Sequence, residues 1–253
     1  MARQRDHRCD GNGLFGTSVD ARTTVDARQR LLDIVLAASG LVLLLPVFSV
    51  AALAIKLESR GPVFYRCRRV GRGGREFSML KFRKMCTGAA GAPLTAADDE
   101  RFTRIGKVLA RTKLDEIPQL WNVLTGSMSA VGPRPEDPVF VALRPAEYEQ
   151  ILRVRPGITG LSQLAFAREM EILDPEDRVG DYVRRLMPQK MSIDELYVSR
   201  RTLSINLRIL WWTVVAIVLR REVAVNRSSG RMNLRRRPRP LPAESLQMKR
   251  AVS

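Results

Sequence analysis

The sequence has a single histidine, His7, and only three cysteines, Cys9, Cys67 and Cys86. The histidine lies in a polar run near the amino terminus, which argues against any histidine-dependent triad, general base or zinc site. The cysteines show neither a CxxC spacing nor an even number, which argues against a disulfide framework and suits a reducing compartment. We therefore expect the cysteines to be ordinary thiols.

Acidic residues are scarce relative to basic ones. The 253-residue chain has 43 Lys and Arg against 26 Asp and Glu, a formal net charge of +17. This balance implies an anionic partner, which composition alone leaves open as nucleic acid, a membrane surface or a phosphorylated substrate. Apolar residues make up 45% of the chain, enough for the core of one large domain with appendages.

Both ends of the chain lack apolar periodicity. Residues 1–27 are predicted to be a disordered tail, and residues 226–253 a basic disordered tail that at most contacts anionic lipid. GNGLFG at residues 11–16 matches G-x-G-x-x-G, but no apolar strand precedes it and no helical pattern opens on it. It is therefore not interpreted as a nucleotide-binding loop.

Residues 34–55 contain no charged side chain, and as a straight helix this segment would cover about 33 Å of bilayer. A signal peptide is disfavoured because the apolar region and its leader are too long, despite an A-x-A pattern at residues 52–54. A buried core helix is disfavoured because the segment has no polar face. The prediction is a membrane segment.

The flanks of this segment argue against a straight span. Basic residues lie on both sides, so the positive-inside rule assigns both ends to the cytoplasm. Pro46 lies near the middle, where a proline removes a backbone hydrogen bond and bends a helix. The sequence therefore predicts a re-entrant membrane helix hairpin over residues 28–60, kinked at Pro46, and a compact cytosolic domain over residues 61–225.

The cytosolic domain is predicted to be α+β and mainly helical. Residues 61–83 should form a short β-hairpin around the glycine-rich residues 71–74. Residues 114–124 have apolar side chains at helical spacing: Ile117, Leu120, Trp121 and Leu124. Arginine-rich loops should follow, up to Gly160. A periodic stretch over residues 192–220 fits either an amphipathic helix at the membrane interface or a core helix.

Two adjacent acids, Asp115 and Glu116, open the helix predicted at residues 114–124. Asp115 lies where an N-cap residue is expected, and Pro118 would then lie in the first turn. The helix dipole favours the ionised carboxylate, which makes Asp115 a candidate nucleophile and this helix end a candidate phosphate site. Plain helix capping explains the same residues.

Cations on constrained backbone accompany the pair: Lys81, Arg83, Arg111, Arg134 and Arg155. Proline and glycine neighbours limit where several of them can point, as in GPRP and RPGITG. Guanidinium groups are suited to phosphate oxygens. A pyrophosphate substrate would use several of these side chains.

Three motifs follow the apolar segment in order: KFRKM, RTKLDEIPQLWNVLTGSMSAVGPRPE and RPGITGLSQL. With them the chain resembles the bacterial sugar transferase family of monotopic polyprenol-phosphate phosphoglycosyl transferases, from about Arg30 to Arg221. The resemblance implies a membrane-dipping hairpin and a cytosolic head at the cytoplasmic face of the bacterial inner membrane. Monomer and homodimer both stay open.

The resemblance also implies a reaction. A phosphosugar would pass from a UDP-sugar to polyprenol phosphate, undecaprenyl or decaprenyl, with release of UMP. This is the first membrane step of exopolysaccharide, O-antigen, capsule or glycoprotein glycan synthesis. In family terms Asp115 would attack the β-phosphate to give an aspartyl phosphosugar. Glu116, with Asp115 beside it, would help to hold Mg²⁺, an ion that binds one or two carboxylates plus substrate phosphates.

Two positions depart from the family pattern. The family commonly has arginine five residues before the nucleophilic aspartate, where this chain has Ala110. It usually has an acid where this chain has Ser127. The first departure leaves open which arginine contacts the phosphates.

Other functions explain only part of the sequence. A glycoside hydrolase needs carboxylates about 5–9 Å apart across one bond, whereas neighbours on one helical turn point in different directions. A membrane-anchored nucleic-acid binder or a non-catalytic scaffold accounts for the charge but leaves the acid pair and the re-entrant segment without a role. We therefore predict an enzyme that does not bind nucleic acid.

Overall fold

The computed structural model describes residues 16–88, 99–167, 173–174 and 176–235, with side chains described from residue 25 onward. The first half contains α1 (Gly16–Leu43), α2 (Leu45–Glu58), β1 (Phe64–Val70), β2 (Glu76–Phe82), α3 (Arg104–Thr112) and α4 (Gln119–Thr125). The second half contains β3 (Ser129–Val131), α5 (Pro138–Leu143), α6 (Pro145–Ile151), β4 (Gly157–Thr159), α7 (Leu161–Ala165), α8 (Arg178–Asp181), α9 (Met187–Arg200), α10 (Leu203–Leu219), β5 (Val223–Val225) and β6 (Met232–Leu234). The predicted mainly helical α+β class is confirmed.

Helices α1 and α2 form one bent apolar pair. The break is at Leu44, and Pro46 lies in the first turn of α2, where its missing N–H costs no helical hydrogen bond. The two axes differ by 60°. Among the described helices none is long and apolar enough alone to cross a membrane, whereas this pair meets the length and composition of a broken span or re-entrant loop.

Helical and strand structure extends into both segments predicted as tails. α1 begins at Gly16 rather than near residue 28. Asp26, in the part of α1 that was predicted to be a tail, forms ion pairs with Arg201 at 2.5 Å and with Arg72 at 3.6 Å. At the other end, ordered structure continues beyond residue 225. β6 pairs there with β5 and buries Met232. GNGLFG, apart from its last glycine, lies outside the described residues, as do His7 and Cys9.

The described strands form three two-stranded sheets. β1 and β2 make the predicted antiparallel hairpin, with Phe64 opposite Phe82. β3 and β4 pair in parallel, and β5 and β6 pair antiparallel. The arginine-rich loops predicted up to Gly160 instead contain α5, α6, β3 and β4. Pro138 and Pro145 start the two helices, and a proline in that position favours a helix rather than breaking one.

The single helix predicted over residues 114–124 is two elements, a 3₁₀ turn at Leu114–Glu116 and α4. Its predicted apolar face is also wrong in part, because Trp121 is 53% exposed while Asn122 and Val123 are buried. The side chain of Asn122 accepts a hydrogen bond from Leu80 N and donates one to Ser78 O, both at 2.9 Å. These bonds fasten α4 to β2.

The stretch predicted as one periodic unit over residues 192–220 is also divided. Thr202 ends the connection between α9 and α10 and caps α10, accepting a hydrogen bond from Ile205 N at 3.2 Å. α10 buries Asn206 and Ile209. A row of large apolar side chains on α10 stays exposed: Leu207, Trp211, Val214, Ile217, Val218 and Leu219. The helix therefore has one core face and one outward apolar face.

Arg30 of α1 holds the carboxyl end of α4. Its guanidinium donates to Val123 O at 2.6 Å and to Leu124 O at 2.7 Å. These carbonyls lie in the last turn of α4, where helical partners are missing. Ala37 of α1 packs against Val123, so the contact combines an apolar and a polar anchor.

We predict that Arg30→Met lowers the free energy of unfolding by about 2 kcal/mol, because two carbonyls lose a charged donor. Arg28→Met is the matched control, since Arg28 is exposed on the same helix. Thermal unfolding in detergent micelles, followed by circular dichroism, measures both. Equal melting temperatures for the two variants would contradict this anchoring role.

Candidate active site

Asp115 and Glu116 lie in the 3₁₀ turn between α3 and α4. Lys113, with a φ of 59°, ends α3 in the left-handed region, so residues 114–116 form a separate turn. Pro118, not Asp115, is the N-cap residue of α4. The predicted capping role of Asp115 is wrong, because both carboxylates turn to lysine and arginine side chains instead of backbone N–H groups.

Glu116 is held by two cations from different parts of the fold. Its Oε1 lies 2.9 Å from Lys81 Nζ, on β2, and 3.4 Å from Arg134 Nη2. Burial acts to raise the pKa of the Glu116 carboxyl, but attraction to Lys81 and then Arg134 outweighs burial and holds that pKa well below its usual range. Glu116 is therefore ionised at neutral pH.

Asp115 is more deeply buried than Glu116 and has a different partner. The residue is 2% exposed, and its Oδ2 lies 3.2 Å from Lys84 Nζ. Lys84 follows β2 and was not among the residues predicted from the sequence. It lies in the KFRKM motif, but the motif alone does not tell which of its cations meets Asp115, because the alternation of a strand stops at Phe82 and gives no direction for the residues beyond it.

Two of the predicted phosphate contacts lie apart from the acid pair in the described residues. Arg83 donates through Nη2 to Ser59 O at 2.8 Å and through Nη1 to Arg60 O at 2.6 Å, where α2 ends. Arg155 donates through Nε to Gly126 O at 2.9 Å, just after α4. Both guanidinium groups therefore hold backbone, and the structure does not bring them to the acids.

Three further positions noted in the sequence precede or follow the turn in the chain. Arg111 is exposed in the last turn of α3, and its phosphate-binding role stays a prediction. Ala110, where the family commonly has arginine, accepts the backbone N–H of Lys113 through its carbonyl. Ser127 replaces the usual acid and donates to Asn122 O at 3.1 Å, which closes the turn after α4.

Backbone contacts bring these side chains together. Glu58, at the end of α2, accepts the N–H groups of Arg104 and Ile105 at 2.6 and 3.0 Å, which caps α3. The loop that carries Arg134 is fixed at Pro133, whose carbonyl accepts Gly157 N at 2.8 Å. Three cations from two segments, the end of the β-hairpin and the loop after β3, thus contact two ionisable acids on one turn.

The described residues do not provide a complete metal cage. Within the ranges given above, no group of three or more His, Cys, Asp or Glu side chains could hold a metal ion. Two adjacent carboxylates are present, which suits an ion that takes most of its ligands from substrate and water. The arrangement can hold a phosphate-bearing anion beside a buried carboxylate.

Comparison with known proteins gives one consistent result. A model of the bacterial sugar transferase family matches residues 24–220. A UDP-glucose:undecaprenyl-phosphate glucose-1-phosphate transferase of Caulobacter vibrioides is 39% identical over 202 residues, which covers 78% of this chain and 72% of that protein. Exopolysaccharide production protein PSS of Rhizobium leguminosarum bv. phaseoli is 37% identical over 76% of this chain and 96% of that protein.

A longer relative shares the central part of the chain. The UDP-N-acetylgalactosamine-undecaprenyl-phosphate N-acetylgalactosaminephosphotransferase of Aeromonas hydrophila is 43% identical over 143 residues. The match covers 54% of this chain but only 33% of that protein. This chain therefore corresponds to about a third of the Aeromonas protein and to nearly all of the Rhizobium protein.

We predict that Glu116→Gln unfolds more easily than wild type by about 3 kcal/mol at pH 7, because two cations lose their shared acid. The pKa of Glu116 is lower folded than unfolded, so its ion pairs stabilise the fold above about pH 4.5 and progressively less below it. The gap between variant and wild type should therefore shrink in acid.

Denaturant unfolding at pH 7, 5 and 3.5 measures this gap. Glu149→Gln is the matched control, because the Glu149 side chain is 77% exposed, and it should stay within about 0.5 kcal/mol of wild type throughout. A Glu116→Gln gap that does not change with pH would contradict the ion-pair account.

Proposed function

The chain belongs to the bacterial sugar transferase family, and on that basis we propose that it transfers a sugar 1-phosphate from a UDP-sugar to undecaprenyl phosphate. The names of its relatives give UDP-glucose or UDP-N-acetylgalactosamine as donors. UMP and an undecaprenyl diphosphate sugar are the products. This lipid-linked sugar is the starting point of polysaccharide synthesis.

The observation that carries the proposal is the acid pair itself. Asp115 and Glu116 are adjacent, nearly buried, and each is in contact with different cations. A carboxylate held in one orientation by an ammonium group is prepared for nucleophilic attack. The cations also favour the arrival of a diphosphate, which suits a UDP-sugar.

The proposed reaction has two displacements at one phosphorus. A carboxylate oxygen of Asp115 bonds to the β-phosphorus, and the bond from that phosphorus to the oxygen of UMP breaks. An oxygen of undecaprenyl phosphate then bonds to the same phosphorus, and Asp115 leaves as a carboxylate. Neither step requires a proton from the protein. Lys81, Arg111 and Arg134 are the proposed phosphate contacts.

Mg²⁺ is the proposed cofactor. Glu116 and Asp115 fit as its protein ligands, because Mg²⁺ commonly takes one or two carboxylates together with phosphate oxygens and water. When bound, the ion would supply positive charge for the diphosphate as UMP departs. Lys81 and Arg134 would then be released from Glu116 to contact phosphate oxygens.

The exposed apolar surface supports attachment to a membrane. Large apolar side chains of α1 and α2 face outward: Val35, Val42, Leu43, Leu45, Val50, Leu53 and Leu57. Together with the exposed face of α10 they form more apolar surface than a soluble domain usually leaves open. We infer that α1 and α2 are a re-entrant hairpin with both ends at the cytoplasmic face, and that α10 lies at the interface.

Asp115→Asn should lower the release of UMP by at least about 1,000-fold, because the attacking charge is removed while size is kept. Wild type incubated with donor alone should release one equivalent of UMP and gain the mass of one phosphosugar on the peptide that contains Asp115. Mass spectrometry and a UMP assay measure both, with the donor chosen from a panel of UDP-sugars.

Asp137→Asn is the matched control for this substitution. Asp137 also forms an ion pair, with Arg69 at 2.6 Å, but at the start of α5. It should keep nearly full activity. If Asp115→Asn is as active as the control, Asp115 is a structural ion-pair partner and the nucleophile assignment fails.

Cysteines placed at Arg28 and Arg60 test the topology of the hairpin, since both side chains are exposed at its ends. In a background free of native cysteines, a membrane-impermeant maleimide should label both only in inverted vesicles. Pro46→Leu should straighten the pair and move one site to the other face. If one of the two cysteines is labelled from outside intact cells in the protein that keeps Pro46, the pair is a true span.

A further inference from the structure

We propose that Lys84 is a catalytic residue of this enzyme, the cation that orients the nucleophile Asp115 and meets the incoming β-phosphate. The inference rests on the proposed function and adds a residue that the sequence motifs did not assign. Its basis is the contact between Lys84 Nζ and Asp115 Oδ2 at 3.2 Å.

Lys84 is the one cation in salt-bridge contact with Asp115 in the part of the chain that the structure describes. The other two cations of the site, Lys81 and Arg134, contact Glu116 instead. The contact engages Oδ2, which leaves Oδ1 for attack. The Lys84 side chain is 22% exposed and that of Asp115 is 3% exposed, so solvent reaches Lys84 more readily than the acid that it contacts.

The backbone of Lys84 is held in place by contacts with α3 and with the residue before that helix. Its carbonyl accepts Thr103 N at 3.1 Å, immediately before that helix. A Cβ at Gly106 would lie only 1.9 Å from the Lys84 carbonyl oxygen, so the helix packs directly on this residue. The ammonium also lies 5.5 Å from the centre of the Phe102 ring, a cation–π contact. A side chain restrained in these ways keeps its charge in one place.

Helix α3 has no charged side chain at the position where the family commonly has arginine. Ala110, five residues before Asp115, has no charge, and Arg111 is exposed at the end of α3. Lys84 approaches from the other side, from the end of the β-hairpin. We infer that it supplies the positive charge that α3 lacks at Ala110.

The charge would act as the new bond forms. The carboxylate and the β-phosphate are both anions, so their approach is repulsive unless a cation lies between them. Lys84 is suited to contact both, because it is paired with Asp115 and its side chain is partly exposed. Lys84 transfers no proton in either displacement.

Single-turnover release of UMP from donor alone tests this role. Lys84→Met should slow the release by about 100-fold or more, while the dissociation constant of the donor rises less than tenfold. Lys84→Arg should recover most of the rate. Lys107→Met, an exposed lysine on α3, is the matched control and should match wild type. A Lys84→Met rate within threefold of wild type would overturn the proposal.

A second-site variant and a stability measurement separate this role from a structural one. The double variant Ala110→Arg with Lys84→Met should release UMP at least ten times faster than Lys84→Met alone. A purely structural defect would not respond to a cation at residue 110. Absence of any rescue by either arginine variant would overturn the proposal.

The ion pair can also be tested without turnover. In an Asp115→Asn background, the decrease in melting temperature caused by Lys84→Met should be at most half of the decrease that the same substitution causes in wild type. Equal losses in both backgrounds would refute the contact. A wild type that releases no UMP with any donor, but shows this coupling, would refute the proposed function and leave the ion pair in place.

Discussion

Two adjacent carboxyl side chains are largely buried on one turn of this fold, and cations from separate parts of the chain reach each of them. Lys81 lies on β2, Lys84 follows it, and Arg134 lies in the loop after β3. An unpaired buried charge would cost several kcal/mol, so these segments must meet around the turn at residues 114–116 for the domain to be stable. In the proposed function the same charges bind the diphosphate of the substrate.

The elements around the turn fix where those charges lie. Asn122 joins α4 to β2, and Arg30 joins α4 to α1. Glu58 and Arg83 connect the end of α2 with the start of α3 and with the segment after β2. The end of the bent apolar pair is therefore in direct contact with both segments that carry the acids and Lys84. In the proposed membrane arrangement, such contacts would hold the site at a constant distance from the membrane surface.

Local pattern predicted the features that depend on local chemistry. The β-hairpin followed from β-prone runs around glycines, and a bend in the apolar segment followed from Pro46, although the break lies two residues earlier, at Leu44. The acid pair stood out because the motif around it was specific to a family. These features are encoded within a few residues of one another, which is why the sequence alone was sufficient to find them.

Features that depend on distant contacts were missed. Asp115 was predicted as an N-cap, but Lys84 offers a stronger partner that lies 31 positions earlier in the chain. Arg83 was predicted to bind phosphate, but α2 ends beside it and uses both of its terminal nitrogens. Neighbouring residues after a strand have no periodicity, so only the fold decides that Lys84, and not Arg83, faces the acid.

The central claim is that the phosphosugar is carried by Asp115 between two displacements. A donor with sulfur in place of one β-phosphate oxygen, in a single configuration, tests it directly, because each in-line displacement inverts the phosphorus. Two displacements predict retention of configuration in the undecaprenyl diphosphate sugar. Inversion would mean that undecaprenyl phosphate attacks the donor directly, and would contradict the account.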